Sequence, residues 1–252
     1  MKAYGKTDIG AKRNTNQDYV FCSMQPVGSL PNLFIVADGM GGHKAGDLAS
    51  RYTVETFLDI VRNSQEINPI TIIEQGVREA NTALIKKSKE SIDYDGMGTT
   101  LVVSTIIDGE LYIANVGDSR LYLVNNEIQQ ITRDHSLVEE MINLGEIDRK
   151  NARTHEKKNI ITRAIGVDTE IEADFFEVDF EPGDIIMMCS DGLSNMIDDE
   201  DMRDIINQGN ELPDAELSEI AQSLIDTANR NGGKDNISVI LVKPDYNEVK
   251  TC

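Results

Sequence analysis

Five aspartates run from one end of this 252-residue chain to the other, each at the border of an apolar, strand-like run. Asp18 follows Arg13-Asn14-Thr15-Asn16-Gln17. Asp38 closes Leu33-Phe34-Ile35-Val36-Ala37 and precedes Gly39-Met40-Gly41-Gly42. Asp118 ends the run 111–117, Asp191 ends the run 185–190, and Asp235 opens the last run, 236–242. One carboxylate at a strand mouth is usually a turn former. Five, four of them without a Lys or Arg as sequence neighbour, require a shared cation. Carboxylates are hard oxygen donors of the kind that Mg2+ and Mn2+ prefer. Two such ions about 3.5–4 Å apart can hold a hydroxide, lower its pKa and aim it at a phosphorus or carbonyl centre. Asp38 is the candidate bridge, because Gly39 after it frees the backbone to bring its own carbonyl to a metal. Asp191-Gly192 repeats the device.

The elements that must position these carboxylates follow from periodicity. Residues 43–62 place Ala45, Leu48, Ala49, Tyr52, Phe57, Leu58 and Val61 at helical spacing, and a second helix starts at Asn68-Pro69, a cap followed by proline. The period then becomes two: Thr99–Ile107, Glu110–Val116 and Arg120–Val124 read as strands, joined by Asp108-Gly109 and closed by Asn125-Asn126, which are antiparallel hairpin signals. Residues 135–165 are polar and poorly periodic. Within 149–163, six basic residues (Arg149, Lys150, Arg153, Lys157, Lys158, Arg163) face one acid, Glu156. Strands return at 172–180 and 184–190, helices at 200–208 and 214–230, and the last strand is 236–243. Strands in blocks with helices between blocks indicate an α+β class.

Composition narrows the partners. With 24 basic and 44 acidic residues the net charge is −20, which argues against nucleic acid or an anionic membrane surface. Three cysteines without CxxC spacing indicate neither a disulfide framework nor a zinc knuckle. Neither a signal peptide nor a membrane-length apolar run is evident, so the expectation is a cytoplasmic, reduced protein. No linker or repeat divides it. One catalytic domain over 1–245, with a distinct segment at about 135–165 and a polar tail at 246–252, is the expected organisation.

A resemblance then becomes specific. Arg13-x-x-Asn16-Gln17-Asp18, Val36-Ala37-Asp38-Gly39-Met40-Gly41-Gly42-His43, Gly98-Thr99-Thr100, Asn115-Val116-Gly117-Asp118-Ser119-Arg120, Thr132-Arg133-Asp134-His135-Ser136, Ser190-Asp191-Gly192-Leu193 and Gly233-Lys234-Asp235-Asn236-Ile237-Ser238 occur in order. Any one is weak; seven in family order are strong. Together they resemble the metal-dependent Ser/Thr protein phosphatases of type 2C (the PPM family), in their compact bacterial form. The resemblance implies an antiparallel β-sandwich flanked by helical layers, a four-layer αββα arrangement, with the segment near 135–165 as a flap beside the site. It implies two Mn2+ or Mg2+ ions: Asp38 bridging them, Asp191 and Asp235 completing one, the Gly39 carbonyl on the other with Asp18 acting through water. Asp118 with Asp191 matches the pair that holds a third, weaker metal. Arg13 matches the phosphate-binding arginine, whose planar fork suits phosphate oxygens. The implied reaction is direct attack of a metal-bridging hydroxide on phosphoserine or phosphothreonine, with no phospho-enzyme. The implied partners are phosphoprotein substrates and a cognate bacterial Ser/Thr kinase, with the protein acting as a monomer.

One departure matters. Where eukaryotic members have a His after the Asp-Gly, this chain has Met40, so the proton donor is open between a metal-bound water and His43. The basic segment could steer anionic phosphoproteins through Lys157 and Lys158; the alternative is a solvated loop with incidental charge. Cys189 and the Met187-Met188 pair read as core. Gly41-Gly42-His43-Lys44 is not a P-loop, because Gly-Lys-Ser/Thr is missing. The competing reading, a catalytically inactive phosphatase-like regulator or metal-binding module, predicts a lost ligand, and Asp18, Asp38, Asp191 and Asp235 are all in place.

Overall fold

The run Leu33–Ala37 is apolar without a break because both faces of its strand are covered. In the computed structural model, which describes residues 1–42, 45–152, 155–181, 183–210 and 216–245, β3 (Leu33–Met40) sends Leu33, Ile35 and Ala37 to one hydrophobic cluster and Phe34 and Val36 to another. Successive strand side chains point to opposite faces, so a strand between two apolar layers loses its polar alternation. β10 (Ile185–Cys189) and β11 (Ile237–Lys243) do the same: Met187, Cys189, Val239 and Leu241 pack outward under helices, while Ile186, Met188, Ile240 and Val242 face the opposite sheet.

Those clusters are the spaces between four layers. One sheet is ordered β1 (Lys2–Asp8), β11, β10, β7 (Arg120–Val124), β8 (Ile128–Gln130). The other is ordered β2 (Asp18–Ser23), β3, β5 (Leu101–Ile107), β6 (Glu110–Val116), β9 (Asp174–Asp179), with β4 (Gly98–Thr99) paired to the end of β3. Every pairing is antiparallel. The helices α1 (Ala45–Asn63) and α2 (Pro69–Ser88) cover the second sheet, and α6 (Asp199–Asn210) with α7 (Leu217–Arg230) cover the first. Each fully buried Leu, Ile or Phe in these layers contributes about 1.5–3 kcal/mol. The expected αββα sandwich is the observed architecture.

Local sequence signals match local structure where the chemistry is local. Asn68 caps α2, its Oδ1 accepting from the Thr71 amide at 3.1 Å, with Pro69 first in the helix. Asp108 and Gly109 both take positive φ, 51° and 81°, as a two-residue hairpin of the primed type requires. The expected strand Thr99–Ile107 is interrupted at Thr100, because Thr99 pairs with Ile165 while 101–107 pair with β3 and β6. The segment 135–165 contains α3 (Leu137–Asn143), capped by Ser136 Oγ, and α4 (Arg149–Ala152). Only Val138 of α3 is buried, so no apolar stripe marked it. The bridge Ser136–Ile161 closes the segment on itself, and Thr99–Ile165 ties it to the sandwich. The tail 246–252, together with His43 and Arg153, lies outside the described residues.

Candidate metal centre

All five aspartates lie at one end of the sandwich. Asp18 opens β2 and stands directly opposite Asp38 of β3 in the ladder. Asp118 follows β6, Asp191 opens the short helix α5 (Asp191–Ser194) after β10, and Asp235 precedes β11. Like charges facing one another across a ladder are destabilising. Here five carboxylates from both sheets converge.

Asp38 is at the middle. Its amide donates to Thr100 Oγ1 at 2.9 Å, and its carbonyl accepts from the Thr100 amide and Thr99 Oγ1, each at 2.9 Å. Burial pushes the Asp38 carboxyl well above the usual carboxylate range, and Asp18, Asp191, Asp118 and Asp235 all push the same way. Burial raises Asp18 to about 7 even though Ser238 and Ser190 hydroxyls donate to its Oδ2 at 2.6 and 2.7 Å. Asp191 rises to about 6, by burial and then by Asp235. Asp118 goes up through burial and Asp191. Four acids held against ionisation at one place carry a cost that a nearby positive charge would relieve.

The oxygens test that fit directly. Asp18 Oδ1, Asp118 Oδ1 and Asp191 Oδ1 are buried without a hydrogen-bond partner. An unpaired buried carboxylate oxygen is costly, and an all-oxygen donor set suits Mg2+ or Mn2+. Among the described residues, no group of three or more His, Cys, Asp or Glu side chains is arranged as a ready metal-binding cluster.

The Asp-Gly pairs have a packing reason. A Cβ on Gly39 would lie 2.0 Å from the Gly46 carbonyl oxygen, and one on Gly192 would lie 1.8 Å from the Asn236 carbonyl oxygen. Each glycine lets a neighbouring element close onto the carboxylate beside it: α1 onto Asp38, and the Asp235-Asn236 turn onto Asp191. Asn236 then knits the end together, its Nδ2 donating to the Ile9 and Thr15 carbonyls and its Oδ1 accepting from the Gln17 amide.

The cations are arranged unequally. Arg13 sits at the rim, 46% exposed, and pairs through one nitrogen with Asp235 Oδ2 at 2.6 Å; a guanidinium has five N–H donors. Arg120 closes the segment Asn115–Arg120 at the start of β7. It grips Asp134 with Nε and Nη2 and donates to Tyr122 Oη. Burial works against its charge, but Tyr122 and Asp134 keep it protonated, and it eases the ionisation of Asp118 and Asp191. Lys158 reaches the site, with Nζ 3.3 Å from Asn195 Oδ1 and a favourable charge effect on Asp191. Lys157 is exposed. The two lysines of the expected flap are therefore separated. A cavity of about 840 Å³ lies between this segment and the sandwich, lined by Asp118, Arg120, Arg149, Lys158, Asp191 and Asn195 among others. Arg149 is engaged there with Glu139 at 2.6 Å. Met40 ends β3 and has no proton to give. Cys189 is fully buried, its thiol pushed up to about 12 by burial.

The hydroxyls that hold Asp18 come from afar in sequence: Ser190 and Ser238 are 172 and 220 residues from it. Their only signal was their place inside the quoted motifs.

Comparison with known proteins agrees with this geometry. Residues 9–232 match the family described as protein phosphatase 2C. The chain is 40% identical to the serine/threonine phosphatase stp of Listeria monocytogenes serotype 4b (strain F2365), over 98% of each chain. The S. agalactiae serine/threonine phosphatase structure superposes with a TM-score of 0.88 at 34% identity, covering 97% of this chain and 99% of that one. The catalytic domain of the serine threonine protein phosphatase PstP, solved in complex with two manganese ions, gives 0.81 at 30% identity, covering 95% and 96%.

Proposed function

The chain belongs to the protein phosphatase 2C family and is a protein-serine/threonine phosphatase, and from that premise we propose that its five-aspartate centre holds two Mn2+ or Mg2+ ions and a third, weaker one. The observation that carries this is the convergence of four carboxylates on Asp38 with three buried oxygens left unpaired. Asp38 would be shared between two ions, with Asp191 and Asp235 completing one, the Gly39 carbonyl and, through water, Asp18 serving the other, and Asp118 with Asp191 holding the third. A Cβ at Gly46 would lie 2.7 Å from the Gly39 oxygen, so glycine at the helix start lets α1 approach that carbonyl closely. Bound there, divalent cations would supply the positive charge that offsets phosphate and makes water acidic enough to serve as nucleophile at neutral pH.

The protein residues do the rest. Arg13 binds and orients the substrate phosphate from the rim, exchanging its Asp235 contact for phosphate oxygens. The Ser190 and Ser238 hydroxyls hold Asp18 in one orientation. Thr99 and Thr100 fix the backbone of Asp38. The phosphoryl group passes to water without a covalent enzyme intermediate; the nearby sulfur nucleophile, Cys189, is sealed in the core. The substrates are phosphoproteins, the antagonist is a Ser/Thr kinase, and the enzyme acts as a monomer with 1–245 as one catalytic domain.

The direct check is metal stoichiometry by calorimetric titration of chelator-stripped protein with Mn2+. At least two ions should bind the wild type and fewer should bind Asp191→Asn. A protein that takes up none, or a variant that binds like wild type, contradicts the assignment.

A further inference from the structure

His135, expected from sequence to order a loop by hydrogen bonding, holds the residue before Asp118 from two sides. Its own amide donates to the Gly117 carbonyl at 2.9 Å. Its ring Nδ1 accepts from the Gly117 amide at 3.0 Å. Asn115 Nδ2 adds a third grip, on the Gly117 carbonyl at 3.2 Å. Gly117 has φ +107°, and a Cβ there would lie 2.6 Å from Thr100 Cγ2, so the turn that presents Asp118 is held tightly against Thr100, between β4 and β5. Beyond Asp118, Ser119 Oγ is 2.7 Å from Thr100 Oγ1, which accepts from the Asp38 amide.

The far side of the ring is tied to other elements. Nε2 lies 3.2 Å from Asp174 Oδ2 at the start of β9, and Arg163 donates to Asp174 Oδ1 at 2.8 Å while lying 3.2 Å from Nε2. The His135 carbonyl accepts from the Thr162 amide at 2.8 Å. Residues 162–163 are where the 135–165 segment returns to the sandwich. An acceptor at Nδ1 requires the proton at Nε2, and Asp174 fixes that tautomer. The imidazole itself is only 8% exposed and touches no metal candidate.

We infer that His135 is a positioning residue that sets the Asp118 carboxylate at the metal centre and couples it to the return of the 135–165 segment. Outer partners that orient a metal ligand are commonly worth about 10–100-fold in metal affinity. This rests on Asp118 being a ligand of the weaker ion, and the test separates the two claims. Asparagine places Oδ1 near the position of the imidazole Nδ1, whereas the glutamine amide lies nearer that of Nε2. His135→Asn should therefore keep the Gly117 contact and His135→Gln should lose it.

The measurements are Mn2+ binding by calorimetry and amide exchange at Gly117 in chelator-stripped protein. His135→Gln should weaken the weakest ion about 10–100-fold and speed Gly117 exchange; His135→Asn should stay within about 3-fold of wild type on both. In an Asp118→Asn background, His135→Gln should add nothing to the metal effect, the outcome expected of a residue acting through Asp118. Asp174→Ala, which frees the ring at its far side, should act in the same direction and more weakly, and it serves if the Gln variant does not fold. Equal loss in the Asn and Gln variants, or no change in either, overturns the inference. An Asp118→Asn protein that binds every ion like wild type overturns the ligand assignment and the clamp with it. A metal defect in Asp118→Asn but none in His135→Gln overturns the clamp alone.

Discussion

A buried carboxylate costs little while it is protonated, and Asp18 and Asp191 set a pH signature on that ground. Their folded pKa values, about 7 and about 6, exceed the ordinary 3.8 because burial disfavours the charge. The folded chain then binds more protons than the unfolded one, so stability is fully present below about pH 4 for this pair and is lost as pH rises through 6 and 7. Chelator-stripped protein should accordingly lose melting temperature between pH 5 and pH 8, and saturating Mn2+ should remove most of that slope, because a cation favours the ionised acids. A flat profile without metal would contradict the buried cluster. Arg13 makes the second residue-scale prediction. Arg13→Ala should raise KM for phosphopeptide roughly 10-fold and Arg13→Lys should recover only part, since a point charge does not replace a planar fork. Identical steady-state kinetics for Arg13→Lys and wild type would count against phosphate recognition by the guanidinium. At this scale the acids and Arg13 were legible in sequence because each sits in a short motif. The Arg120–Asp134–Tyr122 network was not, because its geometry depends on how β7 folds back along the chain.

At the scale of elements, the site depends on strand ends approaching closely. Gly192 lies against the Asn236 carbonyl with no room for a methyl group. Gly192→Ala should therefore force α5 away from the start of β11, at a cost of about 1–3 kcal/mol. For a chain of this size that is roughly a 2–10 °C fall in Tm, with loss of activity as Asp191 and Asp235 separate. An unchanged Tm in a calorimetric scan would show that the contact can relax. The strands β3, β10 and β11 were readable as unbroken apolar runs, which is how a strand buried on both faces appears. The segment 135–165 could not be read the same way, since α3 buries one residue and the apolar anchors Ala164 and Ile165 lie only at the segment's end. Structure also divides its charge: Lys158 faces the site and Lys157 faces solvent. Lys158→Glu should raise KM for phosphopeptides while sparing small aryl phosphates, and Lys157→Glu should do less. Equal effects on both substrates, measured side by side, would remove the steering role.

The whole molecule is a chain of net charge −20 that gathers its most costly acids at one end of a four-layer sandwich. No helix among the described residues is long and apolar enough to cross a membrane. The layers explain why the ligand set spans the sequence from Asp18 to Asp235: each sheet supplies strand ends, and only their stacking brings these together. That convergence gives Asp38 its central place, and its chemistry can be read in one assay. Phosphopeptide hydrolysis by chelator-stripped protein should be absent and should return on titration with Mn2+. Asp38→Asn, nearly isosteric and folded by melting temperature, should lose at least roughly 100-fold in kcat at saturating Mn2+, about 2.7 kcal/mol of transition-state stabilisation. Metal-independent turnover, or an Asp38→Asn enzyme as active as wild type, would contradict the account.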